Sequence, residues 1–518
     1  MTRVVEILIA LGLVAAVVLQ GLRWLRVLQR EHYEPGSVSR FAWRWSTVSF
    51  VTSRRRTISA APLTASVIVV VATLFVLRRD VGAACVALVA GWYLPLGLSV
   101  RGRTSKLSWT RRLRTVALVA SLVTGALALV ALVFPRPWIV GVVVVALVPF
   151  IVDAAATLTR PFENRLAQKF VDRARTRLHD VDPTVVAITG SYGKTSTKHH
   201  LAELLGGHRG VVPSPRSYNN RAGLSRAINE NLADGTSIFI AEMGTYGPGE
   251  IADLTAWCPP DISVVTAIGP VHLERMKSLD VIEAAKFEIT EAAPVVVLNI
   301  DDERLVGWVE RLRASGKTVL TAGSDNTAAD VRVVTVAERW QVLVHGTVVA
   351  ICPPVVGVRE SNLACAIATC VHLGLTIDEI VGRFTHLTSV PNRMVVVTAP
   401  SGVMVIDDTF NANPAGARAA LAALRDLPLH GRRVVVTPGM VELGTEQNRL
   451  NHQLAVDIQS MGATMVVVSR TNARALLAGS GTTAMYFAHR EQAVEWVRAS
   501  LVAGDGVLYL NDLPDHYP

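Results

Sequence analysis

Cysteine is scarce and scattered. The chain holds five, Cys85, Cys258, Cys352, Cys365 and Cys370, and no two are spaced as CxxC. That pattern gives no zinc ribbon and no disulfide framework, and reads as small buried thiols in a reducing compartment. No internal repeat or low-complexity tract is visible, which sets aside solenoids and disordered tails. Long apolar runs are absent from everything beyond residue 157, although half of the 518 residues are hydrophobic and the mean hydropathy is +0.37. The hydropathy therefore comes from the N-terminal part.

Five runs stand there: about 4–22, 58–77, 82–100, 115–134 and 138–157. Each has about 20 residues, and at ~1.5 Å rise per residue each predicts a helix that spans a hydrocarbon core of ~30 Å. Charge is nearly missing from them, with only Glu6 and Asp153 near run ends. A path for a transported solute would call for more.

The net charge of +9 suggests a polyanion partner until it is divided. Residues 1–157 carry 18 Lys and Arg against 5 Asp and Glu, a surplus of 13, which leaves −4 for the other 361 residues. The basic surplus belongs to membrane loops, and no nucleic-acid partner is expected. Eight arginines fall in residues 23–57 and six Lys or Arg in 101–114, whereas the opposite side would show only Arg3, Arg78, Arg79 and Arg136. The positive-inside bias then predicts a multi-pass protein of the cell membrane, with its N-terminus outside and everything after residue 158 in the cytoplasm. The first run has only Arg3, offset by Glu6, ahead of it, and reads as an anchor rather than a cleaved signal peptide.

Residues 158–183 mix charges with Phe162, Leu166, Phe170 and Leu178 at helical spacing, which predicts an amphipathic connector. Beyond it, short β-rich runs (VVAIT, SIFIAEM, ISVVTAI, PVVVLNI, TVLTAG) alternate with helical segments such as 195–205 and 280–293. That rhythm predicts an α/β domain over 184–390 with a mainly parallel sheet. After the PNR turn near 390 a new series (MVVVTAP, VMVIDD, RRVVVTP, ATMVVVS, GVLYLND) predicts a second, Rossmann-like α/β domain over 391–518.

The stretch AITGSYGKTSTKHH follows the first of these strands and opens a helix. Gly190, Ser191, Tyr192, Gly193, Lys194, Thr195 and Ser196 form a phosphate cradle in this reading. Glycines admit backbone N–H groups to oxyanions, the helix N-terminus favours negative charge, Lys194 reaches the β/γ-phosphates of ATP and Thr195 can hold Mg2+. The spacing departs from GxxxxGK[ST], since position 188 is Ile.

This short form, TGxxGKT[ST], resembles the Mur ligase superfamily of ATP-dependent enzymes that join a carboxylate to an amino group. Further stretches carry the resemblance in the family's order: YNNRAGL (218–224), AEMGTYGPGEI (241–251), SVVTAIGPVHLE (263–274) with EAAKFEI (283–289), IDDTFNANPAG (406–416) and TPGMVELG (437–444). They cover about residues 184–518 and are most similar to the F-type ligases, which add D-alanyl-D-alanine to UDP-N-acetylmuramoyl tripeptide in peptidoglycan synthesis. The resemblance implies an ATP site with Mg2+ held by Thr195, Glu242, His272 and a CO2-modified Lys286. It implies Lys194, Lys286 and His272 as catalytic, Arg393 and Asp408 on the nucleotide, and Asn219, Asn220, Asn411 and Asn413 toward substrate.

Taken alone, several of these residues have ordinary readings too. Glu242 ends an apolar strand, as a surface glutamate also does; His272 reads as structural, because Mg2+ prefers oxygen ligands; Lys286 reads as a solvated helix residue. One of Asp407 and Asp408 can meet ribose hydroxyls while the other is solvated, and Asn411 and Asn413 also fit turns.

Three departures bear on substrate. The five runs stand where F-type ligases carry a soluble domain that grips UDP, and GVRESN (357–362) lacks the histidine of G-x-H-N-x-x-N; Ser225 also replaces a usual proline. The expected partners are accordingly a lipid bilayer, a small-molecule or lipid-linked cell-wall precursor, and an amino acid or dipeptide. A membrane-attached poly-γ-glutamate-type ligase is the alternative within the class. A P-loop ATPase or transporter subunit is the alternative outside it.

Overall fold

The computed structural model describes residues 3–47, 49–51, 57–59, 70–71, 80–95, 98, 100, 107–131, 133–134, 136–206, 210–215, 218–391, 393–410, 412–481 and 484–513. Its N-terminal part is helical: α1 (Arg3–Arg30), α2 (Ser37–Thr47), α3 (Asp80–Tyr93), α4 (Arg111–Ala131) and α5 (Pro137–Val181), with a small hairpin of β1 (Ser49–Val51) and β2 (Thr57–Ser59). Among the described residues three helices, α1, α4 and α5, are long and apolar enough to cross a membrane. Val4, Leu8, Leu11 and Val14 of α1 and Leu118, Leu122 and Leu129 of α4 lie open on the protein's surface. Water disfavours such a surface and lipid accepts it.

Two of the five expected spans differ from this. The run 58–77 falls almost wholly outside the described residues. The run 82–100 yields α3, whose 14 residues reach only ~21 Å at ~1.5 Å per residue; Leu94-Pro95 follows it, and proline disfavours helix in the residue before it. The fifth run and the amphipathic connector form one helix: α5 continues for 45 residues past Pro149 and Pro161. Polarity changes at residue 158 because the surroundings change, while the backbone ladder has no reason to stop.

Several polar groups among the helices are bonded. Gln20 donates to the carbonyls of Gly91 (2.8 Å) and Leu94 (2.5 Å) and accepts from the Trp24 indole (3.0 Å). Asp153 accepts from Val38 N (3.3 Å), Ser39 N (2.7 Å) and the Ser39 hydroxyl (2.5 Å), so it fastens the start of α2 to α5. Arg111 pairs with the buried Glu163 at 2.9 Å.

The C-terminal half of α5 then enters the next domain. Val171, Ala174 and Leu178 share a core with Leu224, Ala227 and Ile228, and Arg177 donates to Leu232 O at 2.9 Å. A single helix thus belongs to both bodies.

The central domain follows as β3 (Thr184–Thr189), α6 (Lys194–Leu205), β4 (Val211–Pro213), α7 (Arg221–Asn231), β5 (Ile238–Glu242), α8 (Glu250–Trp257), β6 (Ile262–Val265), α9 (Leu273–Met276), α10 (Leu279–Ala292), β7 (Val295–Asn299), α11 (Glu303–Ala314) and β8 (Thr318–Gly323). Strands β9 (Val331–Val336), β10 (Arg339–Val344) and β11 (Thr347–Cys352) precede α12 (Glu360–His372) and α13 (Ile377–Gly382). The sheet order is β11-β10-β9-β8-β7-β6-β3-β5-β4, parallel from β9 to β4 and antiparallel across β9–β11. The central parallel strands β3, β5, β6 and β7 are rich in β-branched residues and buried on both faces, as crossover helices require. Strand β3 lies between β5 and β6, so the connections leave it in opposite directions and open a crevice at its carboxyl end.

The C-terminal sheet has the order β12-β13-β17-β14-β15-β16. Its strands are β12 (Val395–Thr398), β13 (Met404–Asp408), β14 (Arg433–Thr437), β15 (Thr464–Val468), β16 (Met485–Phe487) and β17 (Gly506–Leu510), with only β12 antiparallel. Helix α14 (Pro414–Asp426) leaves β13 with Asn413 as its cap.

Candidate active site

The loop after β3 is tight because glycine allows it. Gly190 has φ 149° and a Cβ there would sit 2.0 Å from the Thr266 hydroxyl; Gly193 has φ 81° and a Cβ there would sit 2.4 Å from Asn362 Oδ1. The loop is tied to the end of β6 by Ser191 N to Ala267 O (2.7 Å) and by Gly269 N to the Ser191 hydroxyl (2.9 Å). Ser191 and Tyr192 turn inward: the Tyr192 ring lies against Gly269, and burial raises its phenol pKa. The N-terminus of α6 is left facing the crevice, where backbone N–H groups favour an anion.

A buried charge cluster lies under this loop. Glu242, at the end of β5, is 1% exposed. Its Oε2 accepts from the Thr195 hydroxyl (3.0 Å) and pairs with Lys198 (3.0 Å), while Oε1 accepts from Asn219 (3.1 Å). Lys198 also donates to Ser214 O at 2.8 Å, and the Ser214 hydroxyl accepts from Glu242 N at 3.1 Å. Burial alone would push the Glu242 carboxyl up, but the Lys198 and Lys194 charges outweigh it and hold it below its ordinary value. Lys194 donates to Gly190 O at 2.5 Å. Burial lowers its pKa to about 8, with the Arg393 charge adding and Glu242 opposing.

Lys286, on α10, is 2% exposed. Burial, and then the Lys194 charge, push its ammonium well below the usual lysine range. A buried lysine on the core face of a helix departs from the solvated reading, and a neutral amine is the form that can add CO2.

Thr195 and Glu242 offer hard oxygen atoms side by side, which fits Mg2+. No group of three or more His, Cys, Asp or Glu converges among the described residues. His272, with a left-handed φ of 56°, bonds through Nδ1 to Glu442 of the C-terminal domain and meets the Tyr246 ring edge-on at 4.6 Å.

The C-terminal domain closes over the crevice. Arg393 donates to the Thr195 hydroxyl at 3.5 Å and lies over the Phe410 ring, 4.7 Å from its centre. Asp408 Oδ1 accepts from Met394 N at 3.3 Å; burial raises its pKa against the opposing pull of Met394 N, Arg359 and Arg393. Asp407 is used locally by Thr409 N (3.1 Å) and the Thr409 hydroxyl (2.6 Å). The two adjacent carboxylates therefore divide, and Asp408 is the one near the arginines.

Not every expected residue gathers at the cluster. Asn220 caps α7 through Gly223 N (2.9 Å) and Asn413 caps α14 through Gly416 N (2.8 Å); for Asn413 this is the turn reading. Asn411 lies outside the described residues. Lys198, Tyr246, Glu442 and Asn362 are site residues that the sequence reading passed over. Lys198 carried a signal, since it follows Lys194 by one helical turn.

Comparison with known proteins bears on this geometry. Residues 188–370 match the Mur ligase middle domain and residues 392–510 the Mur ligase glutamate ligase domain. The UDP-N-acetylmuramoyl-tripeptide–D-alanyl-D-alanine ligase of Mycobacterium tuberculosis is 32% identical over 359 residues, covering 63% of this chain and 69% of that protein. The Escherichia coli ligase of the same name is 27% identical over 343 residues, covering 63% and 75%. The crystal structure of the MurF ligase of Thermotoga maritima in complex with ADP superposes with a TM-score of 0.59 at 26% identity, covering 67% of this chain and 80% of that one.

Proposed function

We propose, from the premise that this chain belongs to the Mur ligase family, that it is an ATP-dependent ligase joining D-alanyl-D-alanine to UDP-N-acetylmuramoyl tripeptide for peptidoglycan. The observation that carries the reading is the convergence of Lys194, Thr195, Glu242 and Arg393, from two domains, on the crevice beside β3. A helix N-terminus, a phosphate-seeking lysine and a buried carboxylate next to a hydroxyl are what an ATP phosphate chain needs.

The reaction runs in two displacements. A substrate carboxylate oxygen attacks the γ-phosphorus of ATP, the bond to the β,γ-bridging oxygen breaks, and ADP leaves. The amine of the second substrate then attacks the acyl carbon, phosphate departs and an amide remains after loss of a proton. Lys194 exchanges its bond to Gly190 O for a phosphate oxygen, and returns to full charge as the phosphate offsets its burial. Thr195 and Glu242 would hold Mg2+, which would supply charge neutralisation on the transferring group. Lys198 keeps Glu242 ionised and aimed, and Asn219 fixes its other oxygen. Arg393 and Asp408 tie the C-terminal domain to the nucleotide, so that closure excludes the water that would hydrolyse the acyl phosphate. A carbamylated Lys286 would put an anion near Lys194 in place of a buried amine whose charged form burial disfavours.

The helical part acts as a multi-pass anchor in this reading, with the N-terminus on the far side and the catalytic domains in the cytoplasm. Support comes from the arginine-bearing ends: the turn after Arg30 and the start of α4 at Arg111 lie on the side of the catalytic domains, through Glu31 to Arg275 and Arg111 to Glu163. A five-crossing topology is part of the proposal. Asp153 and Glu163 are consumed in bonds between helices, which favours an anchor over a transport path. The acceptor is the soluble UDP-linked peptide rather than a lipid-linked one. Purified full-length protein tests the class: ADP release that requires both a carboxylate and an amine substrate supports the ligase, and release indifferent to both overturns it.

A further inference from the structure

The one-turn helix α9 directly after His272 is too short to hold itself. It has four residues, His272 before it and Lys277 after it both have left-handed backbones, and its ends are gripped from outside. One grip comes from the helical region. Arg275 pairs with Glu31 at 2.5 Å and with Glu34, and Glu274 pairs with Arg44 of α2. The Arg275 and Glu31 side chains are only 13% and 8% exposed, so this pair is screened from water.

The grip reaches His272 through a ring. The Arg275 guanidinium lies over Tyr246, 4.7 Å from the ring centre, and Tyr246 meets His272 edge-on at 4.6 Å. His32 lies on Tyr246 as well, at 5.8 Å. The second grip comes from the C-terminal domain, where Glu442 bonds His272 and its carbonyl accepts from Glu274 N at 3.4 Å. Next to it Val441, with Leu513, packs into the apolar cluster of Trp24, Leu28, Val38 and Phe41. Three bodies therefore meet at α9, and the helical one contributes the charges that face it from residues 31–44.

We propose that the turn 31–36 and helix α2 form a positioning element of the ligase site, fixing α9 and with it His272 through Glu31, Glu34 and Arg44. The inference rests on the ligase reading for its kinetic consequence and on the ion pairs alone for its structural one. The membrane region is then a working part of the enzyme as well as its anchor. Glu31, Glu34, Arg44 and Arg275 are positioning residues, since none of them is placed on substrate or nucleotide.

The test uses the full-length protein in lipid nanodiscs. The Glu31→Gln/Glu34→Gln variant is expected to lower kcat for amide formation by about ten- to a hundredfold, the penalty of a misplacement near 1 Å, with KM for ATP changed less than about threefold. In metal-free, nucleotide-free protein, amide exchange at residues 274–277 is expected to quicken while β3 and β6 keep their protection. Arg275→Glu alone is expected to be the poorest variant, and Glu31→Arg with Arg275→Glu to regain at least about tenfold of its kcat. Unchanged kcat together with unchanged exchange at α9 overturns the proposal. So does protection lost throughout the central sheet without recovery in the exchanged pair, which would make these residues general supports. A wild-type preparation that forms no amide strikes the ligase reading instead, and exchange at α9 still decides whether the pairs hold it.

Discussion

Replacing Lys198 by Met isolates the buried cluster from the rest of the site. Both side chains of the Lys198–Glu242 pair are almost fully buried, at 6% and 2% exposure, and lie 3.0 Å apart. At that distance and an effective dielectric near 20 the attraction is about 5.5 kcal/mol, and losing one member of a buried pair costs about 3–5 kcal/mol. Glu242 keeps its bonds from Thr195 and Asn219, which places the expected loss at the lower end, about 3 kcal/mol. For a domain of this size the melting transition should fall by about 6–12 °C.

Calorimetry on the transition that ADP shifts is the assay. The sign with pH follows from Glu242. In the parent its pKa lies below the ordinary value of 4.5, so its stabilisation is present above that pH and is lost as pH falls through the lower folded value. Without Lys198 burial tends to raise the pKa, and stability declines as pH rises past 4.5. The gap between the two proteins should therefore be widest near neutrality and narrow toward pH 4.5. Lys198→Met with Glu242→Gln removes both charges and should recover at least half of the loss. A single variant within about 1 kcal/mol of the parent, or a double variant no better than the single, would refute the electrostatic reasoning.

Three further outcomes are expected. Lys286→Ala should lose about a hundredfold or more of ligation and regain part of it with acetate or formate; full activity without them would remove any role for a carbamate. Metal-free ADP binding should be flat below the Lys194 pKa of about 8 and weaken above it by up to about tenfold per pH unit, since the ammonium is the phosphate-binding form; titration calorimetry from pH 7 to 10 reads this, and a flat profile contradicts it. Asn413→Ala should cost about 1 kcal/mol as a lost helix cap and leave KM for the amine within twofold, whereas a large rise in KM would return Asn413 to the substrate.

The sequence made the phosphate loop and the two strand series legible, because parallel strands need continuous β-branched runs and each such run is visible in isolation. It did not show β9–β11, whose alternating pattern extends the parallel sheet with antiparallel strands. It split α5 at residue 158, since hydropathy records the surroundings and the helix crosses from one to another. Lys286 was read by itself as solvated, and only packing of α10 against the sheet buries it. The contacts between bodies were the least legible. Glu442 meets His272 across 170 positions and Glu31 meets Arg275 across 244, and neither side chain carries a local pattern that names its partner. Asp407 and Asp408 could not be told apart as neighbours on one strand; the Thr409 hydroxyl separates them by capturing the first.

Mass spectrometry of the products formed by the full-length protein decides the central claim. Offered ATP, UDP-N-acetylmuramoyl tripeptide and D-alanyl-D-alanine, the protein should form the UDP-linked pentapeptide with one ADP and one phosphate per amide, and should form no polymer from glutamate alone. Glutamate polymer without pentapeptide, or ADP with no amide product at all, would contradict it.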